Sequence, residues 1–531
     1  MVTNSGEADM AIDTLYRFWV KSRLMKCPGR PTLSNPACIQ GLSERLKMST
    51  VLQDTGDNHQ QEITAQLTTC LRRQREAYHT DPVPDLEQRK RDLLALKQML
   101  AENREAIIEA INSDYGNRSR HETMLAEIIM VLDGLKFAVK HLKKWMRVQR
   151  REIEFALYPG AKNRVIPQPL GVVGVIVPWN FPIQLVFVPL TYIFAAGNRA
   201  MVKMSENSRH LTRLLIELAP KYFPPEKLSF FEETGSVGIQ FSQLSFDHLF
   251  FTGSGETGKA VMASAASNLT PVTLELGGKS PAVLAPDYPI KKAVERIMFA
   301  KIFNAGQVCV NVDYIFVPEG KIDTFVEGCK AWVKKHCPDI NSPDYTSIID
   351  QKSYDRLNEA LEDARQQGAT VIDLSGGQQS EPGMRKIAPH LVLNAPQSTA
   401  LMRREIFGPI LPVVPYKDQK QVCAYINERD RPLAFYPFTG DRQLQGFYLD
   451  NVMSGGACVN DALLHPGQHD LPFGGVGASG MGHYHGYEGF ATFSKLRPVF
   501  YQASFSALKF LAPPYGNLAN RMLNMILKRK L

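Results

Sequence analysis

VVGVIV (172–177), followed by the break Pro178-Trp179-Asn180-Phe181-Pro182, is the stretch that decides the fold. Six apolar, mostly β-branched residues in an unbroken run mark a strand buried on both faces, as in a parallel sheet. A helix-like stretch to Ala196 follows, then AMVK (200–203), LSFF (228–231) and HLFF (248–251), with helical segments between them. Strand and helix alternate, so the expectation is a doubly wound parallel sheet. Ligands in such sheets lie at the carboxyl ends of the strands. Asn180, Lys203, Glu206 and the glycines after Phe251 all fall there.

The turn after HLFF reads Gly253-Ser254-Gly255-Glu256-Thr257-Gly258, with a helix expected from Lys259. GxGxxG between strand and helix is the context a dinucleotide-binding turn requires. By itself the pattern is a weak signal. Glu206 is the preferred acid for a ribose, since it lies three residues past Lys203 in a strand-end loop. The plain alternative is an exposed Lys203–Glu206 ion pair of little energetic weight.

Further on, LELGGKSP (274–281) and FNAGQVCV (303–310) carry a carboxylate and a thiol. Glu275 sits in an apolar, β-prone run, where a charge is costly and the pKa rises towards neutrality, as suits a general base. Cys309 follows Gly306 and Gln307, where the chain can leave regular structure and present its sulfur. To act as a nucleophile it needs a positive or hydrogen-bond-rich site. Each also has a structural reading: a small buried hydrophobe for Cys309, a turn-closing residue for Glu275.

Composition sets the frame. The 531 residues exceed one ordinary core, and 44% hydrophobic with 21% charged residues are globular values. A net charge of +8 from 61 basic and 53 acidic residues is spread thinly, which argues against nucleic acid as a partner. Eight cysteines without CxxC spacing give neither a zinc site nor a disulfide scaffold, and a reducing, cytoplasmic setting fits them. No apolar run is long enough to span a membrane. Residues 1–60 read as a poorly ordered extension without a secretory layout, with Met48 as an alternative start. Helical stripes come next: Leu86 to Ile111, then Leu125, Ile128, Ile129, Leu132, Leu135, Val139 and Leu142, read as core.

The domains expected are a dinucleotide-binding domain over 61–274, a second α/β domain over 275–460, a return segment over 461–510 and an amphipathic tail over 511–531. EFALYPGAKNRVIP (154–167) is a candidate strand–turn–strand arm, and PFGGVGASGMG (472–482) a loop whose backbone approaches something closely.

Taken together, PWNFP, LELGGKSP, NAGQVCV, EIFGPILPV and LPFGGVGASGMG resemble the aldehyde dehydrogenase superfamily over roughly residues 65–510. MGHYHG (481–486) resembles its class 3-like branch, and the whole is similar to the bacterial coniferyl aldehyde dehydrogenases. The resemblance implies Cys309 as nucleophile, Asn180 as oxyanion donor and Glu275 as the base that activates water. It also implies Lys203 and Glu206 at the adenosine ribose, Gly253, Ser254 and Gly258 in the phosphate turn, Glu405 at the nicotinamide ribose and Phe407 beside the nicotinamide. NAD is the implied cofactor, with NADP possible. Met204, where the family has Pro, and Gly255, where relatives carry Thr, bear on that choice. The substrate implied is a small aldehyde, aromatic or medium-chain, and the assembly a homodimer built through an arm. A CoA-acylating dehydrogenase and a non-catalytic binding protein on the same scaffold are the alternatives. Glu275 argues against the first, and the intact Cys309, Glu275 and Asn180 set against the second.

Overall fold

A computed structural model describes residues 60–531 except residue 156. The expectation of a poorly ordered 1–60 therefore lies outside the described residues, save its last position. The chain divides into two units, Met1–Ile63 and Thr64–Leu531, and the three sheets all lie in the second.

The first sheet has six strands in the order Gly480–Met481, Val272–Leu276, His248–Gly253, Val172–Ile176, Arg199–Lys203 and Leu228–Phe231. All pairings are parallel except the Gly480–Met481 edge. Strand Val172–Ile176 is buried at every position, as its unbroken apolar run requires. Helix Gln184–Ala195 is buried from Leu185 onward, which fits a sequence apolar on all sides.

The second sheet has seven strands, in the order Thr370–Asp373, His390–Leu393, Ile410–Tyr416, Tyr314–Pro318, Pro281–Leu284, Ala434–Phe438 and Gly456–Ala457. Only Thr370–Asp373 pairs antiparallel there. Glu275 thus lies one residue before the end of its strand in the first sheet, and the chain enters the second at Pro281. The largest core cluster takes residues from both, Val173 and Phe250 beside Leu284, Ile315 and Leu411. A third, antiparallel sheet is the arm: Gln149–Arg151, Lys162–Pro169 and Ser494–Tyr501.

Three local expectations change. A helix over 60–80 precedes the first stripe read from sequence. It buries Leu67 and Leu71, and buried Gln74 on the same face donates through Nε2 to the carbonyls of Ala200 and Pro225, both at 3.0 Å. The second helical stripe is interrupted by a π-turn over Met124–Ile129 before Met130–Trp145. The extra residue per turn rotates the register, so Leu125 and Ile129 are 47% and 44% exposed rather than core. In the arm, the first strand begins at Gln149 and the connection over 152–161 is longer than a tight turn.

The glycine-rich stretch 472–482 does approach another backbone closely. Gly480 pairs with Glu275, and the Leu276 amide donates to the Ser479 carbonyl at 3.1 Å. A Cβ on Gly480 would overlap the Leu274 carbonyl. The C-terminal helix Asn517–Lys530 buries Ala519 and leaves Leu518, Leu523 and Leu527 exposed. Among the described residues, no helix is long and apolar enough to cross a membrane.

Candidate active site

The segment after helix Ile290–Ile302 places the thiol. Asn304, Ala305 and Gly306 adopt φ of 53°, 49° and 76°, three left-handed residues in a row. A Cβ on Gly306 would overlap the Gly408 carbonyl, so glycine is required there for space as well as conformation. Buried Gln307 braces the turn. Its Nε2 donates to the carbonyls of Asn304 and Ser347, both at 3.0 Å, and its Oε1 accepts from the Ile349 amide at 3.0 Å. Asn311 Nδ2 donates to the Gly306 carbonyl at 2.8 Å.

Asn180 comes to the same place from the first sheet. Its carbonyl accepts from Arg118 Nη1 at 2.8 Å, Tyr115 Oη at 3.1 Å and Asn304 Nδ2 at 3.3 Å. Its side-chain Nδ2 points towards the Cys309 turn, 3.3 Å from the Gln307 carbonyl. Asn180 does not cap the following helix. Glu127 Oε2 does that work, accepting from the amides of Ile183 at 2.6 Å and Gln184 at 3.2 Å.

Two cavities meet at Cys309. One, of about 220 Å³, is lined by Trp179, Asn180, Ser254, Glu275, Glu405 and Phe407 among others. The second, of about 310 Å³, is mainly apolar, with Phe181, Phe299, Phe303 and Phe473 in its wall. Leu125, moved outward by the π-turn, also lines it. Neither the π-turn nor this aromatic wall had a signal in the sequence.

Glu275 is 3% exposed, and neither carboxylate oxygen has a hydrogen-bond partner. Burial holds its pKa well above the ordinary carboxylate value. Glu405 is pushed up to about 8, by burial first and then by the Asp313 charge. The Cys309 thiol is pushed up to about 12 by burial, then by the charges of Glu405 and Glu275. Of the positive or hydrogen-bond-rich surroundings expected from sequence, backbone hydrogen bonds from Val310 and Cys309 act to lower the pKa, and they are outweighed by burial.

The other expected residues divide into two groups. Gly253 and Ser254 line the crevice with Cys309. Ser254 caps helix Gly255–Ala266, its Oγ accepting from the Thr257 amide at 3.2 Å, so the helix starts four residues before Lys259. Glu405 and Phe407 line the same crevice, with Phe407 edge-on to Trp179 at 5.5 Å. Gly258 instead faces the side chains of Leu276 and Phe251, where it lets helix and strand pack closely. Lys203 ends its strand buried and pairs with Glu233 at 2.6 Å, not with Glu206, which is exposed. Nothing in the local sequence singles out Glu233.

The crevice suits a nicotinamide dinucleotide. Gly277 lets the Glu405 carboxylate lie against the backbone where a Cβ would overlap it, so that polar group is held at the crevice wall. The unpartnered Glu275 carboxylate and the flat faces of Trp179 and Phe407 border the same space.

Burial of Glu275 makes a prediction about stability. Its folded pKa lies above the unfolded value near 4.5, so its contribution is fully present below that pH and lost as pH rises through the folded value. Glu275→Gln removes that loss. The variant is expected to melt at least ~2 °C above wild type at about pH 8, with the gap closing towards pH 4. A pH-independent gap in calorimetry contradicts the buried-charge account.

The sequence profile of the aldehyde dehydrogenase family matches residues 50–499. A Pseudomonas aeruginosa protein named "Probable coniferyl aldehyde dehydrogenase" is 48% identical over 472 residues, covering 88% of this chain and 98% of its own length. "Coniferyl aldehyde dehydrogenase" of Pseudomonas sp. is 42% identical, covering 87% of this chain and 96% of its own. The solved structure described as "Substrate bound state of Staphylococcus Aureus AldH" superposes with a TM-score of 0.81 at 34% identity, over 87% of this chain and 99% of that one. With a thiol, an amide and a buried carboxylate around one crevice, this chain belongs to the aldehyde dehydrogenase family and is an NAD(P)-dependent oxidoreductase of aldehydes.

Proposed function

We propose that the enzyme oxidises coniferyl aldehyde or a related aryl aldehyde to the carboxylic acid. The observation that carries this reading is the junction at Cys309. A crevice holding Asn180, Ser254, Glu275 and Glu405 opens on one side of the sulfur and an aromatic-walled cavity on the other. The names of the Pseudomonas relatives point to the same substrate class.

In the reaction, Cys309 Sγ attacks the aldehyde carbon and gives up its proton, for which Glu275 is the acceptor at hand. The oxygen becomes an oxyanion held by Asn180 Nδ2 and the Cys309 amide, a type of contact worth about 10²–10³ in rate per donor. A bound oxidised dinucleotide supplies a positive ring charge and a hydride acceptor. The carbon passes from thiohemiacetal to thioester on Cys309. Once Glu275 has passed that first proton to solvent, it takes a proton from water as hydroxide adds to the thioester; the acid departs and Glu275 returns the proton to the leaving Cys309 sulfur. A raised carboxylate pKa suits both proton transfers.

Cytoplasmic location is part of the proposal, supported by the free cysteines Cys70, Cys309, Cys329, Cys337, Cys423 and Cys458. So is a homodimer built through the arm, whose strand Ser494–Tyr501 ends on exposed Phe500 and Tyr501. Light scattering is expected to give twice the chain mass, and a monomer at micromolar concentration counts against the arm.

Cys309→Ala is expected to abolish NADH formation while NAD still binds. Glu275→Gln is expected to keep the first burst of NADH and slow steady turnover at least ~10²-fold, because the second proton transfer has no base. Equal loss of burst and steady rate assigns Glu275 another role. Across coniferyl aldehyde, benzaldehyde and hexanal, kcat/KM is expected to favour the aryl substrates by about tenfold or more. A preference for hexanal refutes the aryl reading.

A further inference from the structure

Chain order in the first sheet reverses at strand Val172–Ile176. Arg199–Lys203 and Leu228–Phe231 lie on one side of it, His248–Gly253 and Val272–Leu276 on the other. A dinucleotide lies across the strand ends at such a reversal. The group ending the next strand outward stands where the adenosine ribose 2′-position is read. In this chain that group is Lys203.

Lys203 is already engaged. Its Nζ lies 2.6 Å from Glu233 Oε2, with the two side chains 10% and 9% exposed. The Glu233 carboxylate is fixed in turn. Its Oε1 accepts from the amides of Gly235 at 2.9 Å and Val237 at 3.1 Å, and its Oε2 from Gly238 at 2.9 Å. A Cβ on Gly238 would stand 3.0 Å from Glu233 Oε2 and 3.2 Å from Lys203 Nζ, so the pair fills the space beside that backbone. Burial alone would raise the Glu233 pKa, but the Lys203 bond and charge and the amide donors outweigh it, and the group is lowered and charged at neutral pH. Glu232, next in sequence, is occupied by Arg213 at 3.2 Å. Exposed Glu206 adds a further carboxylate three positions past Lys203.

Lys203 thus stands among carboxylates. A ribose diol fits such a place, because hydroxyls can donate to a carboxylate. A 2′-phosphate finds Lys203 already neutralised and meets repulsion from Glu233. We propose that Glu233 sets the preference for NAD over NADP by neutralising Lys203 at the adenosine end of the crevice. This rests on the reading of the crevice as a dinucleotide site.

Equilibrium binding tests it without turnover. NAD and NADP are titrated separately into the full-length protein, with no aldehyde, and quenching of tryptophan fluorescence gives each Kd. Wild type is expected to bind NAD more tightly. Glu233→Gln is expected to tighten NADP by about tenfold and to change NAD by less than about threefold. Adding Lys203→Met to that variant is expected to erase the gain. Should Glu233→Gln fail to fold, Glu233→Asp, which shortens the reach to Lys203, carries the same expectation in smaller size. An unchanged NADP-to-NAD ratio in a variant that still binds NAD overturns the proposal and leaves the dehydrogenase reading intact. The same gain without Lys203, or a wild type that prefers NADP, also overturns it. A folded wild type that binds neither dinucleotide overturns both readings.

Discussion

Three left-handed residues in succession, Asn304 to Gly306, are the constraint on which the rest of this site depends. For the two non-glycine residues that conformation costs about 1–2 kcal/mol each. It persists because the surroundings over-determine it. Ala305 is wholly buried in a cluster with Ile348 and Leu357, and Gln307 is bonded at both ends of its amide. Without the reversal, helix Ile290–Ile302 would run on and Cys309 would land elsewhere. With it, the sulfur stands where two cavities join.

The Asn180 carbonyl couples that turn to the first sheet. Its three donors come from three separate stretches of chain, Tyr115, Arg118 and Asn304. Arg118 is itself held between the rings of Tyr115 and Phe181, at 4.8 and 4.9 Å from their centres. It pairs with Glu127 at 3.5 Å, both side chains wholly buried, and Glu127 is pushed up to about 7 chiefly by that burial. A buried ion pair seldom adds much net stability. Here it fixes the loop 180–184 from both sides, which a hydrophobic replacement of equal volume would not do.

Glu275 is a buried carboxylate with neither oxygen hydrogen-bonded. Glu275 keeps two unsatisfied oxygens in a dry place, which weakens the fold and leaves a base able to accept a proton. Two lysines are engaged more fully. Lys227 meets Asp92 at 2.6 Å and the Asn198 carbonyl at 2.8 Å, and Lys279 bonds both Asp313 and the Leu401 carbonyl.

Local pattern was enough to locate the strands. VVGVIV is a β-branched run and LSFF and HLFF are short runs ending in paired Phe, and each lies in a strand with parallel neighbours. For Asn180, Glu275 and Cys309 the residues by themselves left structural readings open, and it was the resemblance of the surrounding motifs to a family that pointed to chemistry. What the sequence could not decide is every choice made between distant segments. Glu233 takes Lys203 from Glu206 because helix Val237–Ser242 turns its amides onto the carboxylate, and no spacing records that. Leu125 leaves the core because one extra residue enters a helical turn. The Cys309 pKa is raised because burial, and then two carboxylates from distant parts of the chain, disfavour the thiolate. Side-chain identity sets which groups are available, and packing sets their neighbours, charges and water.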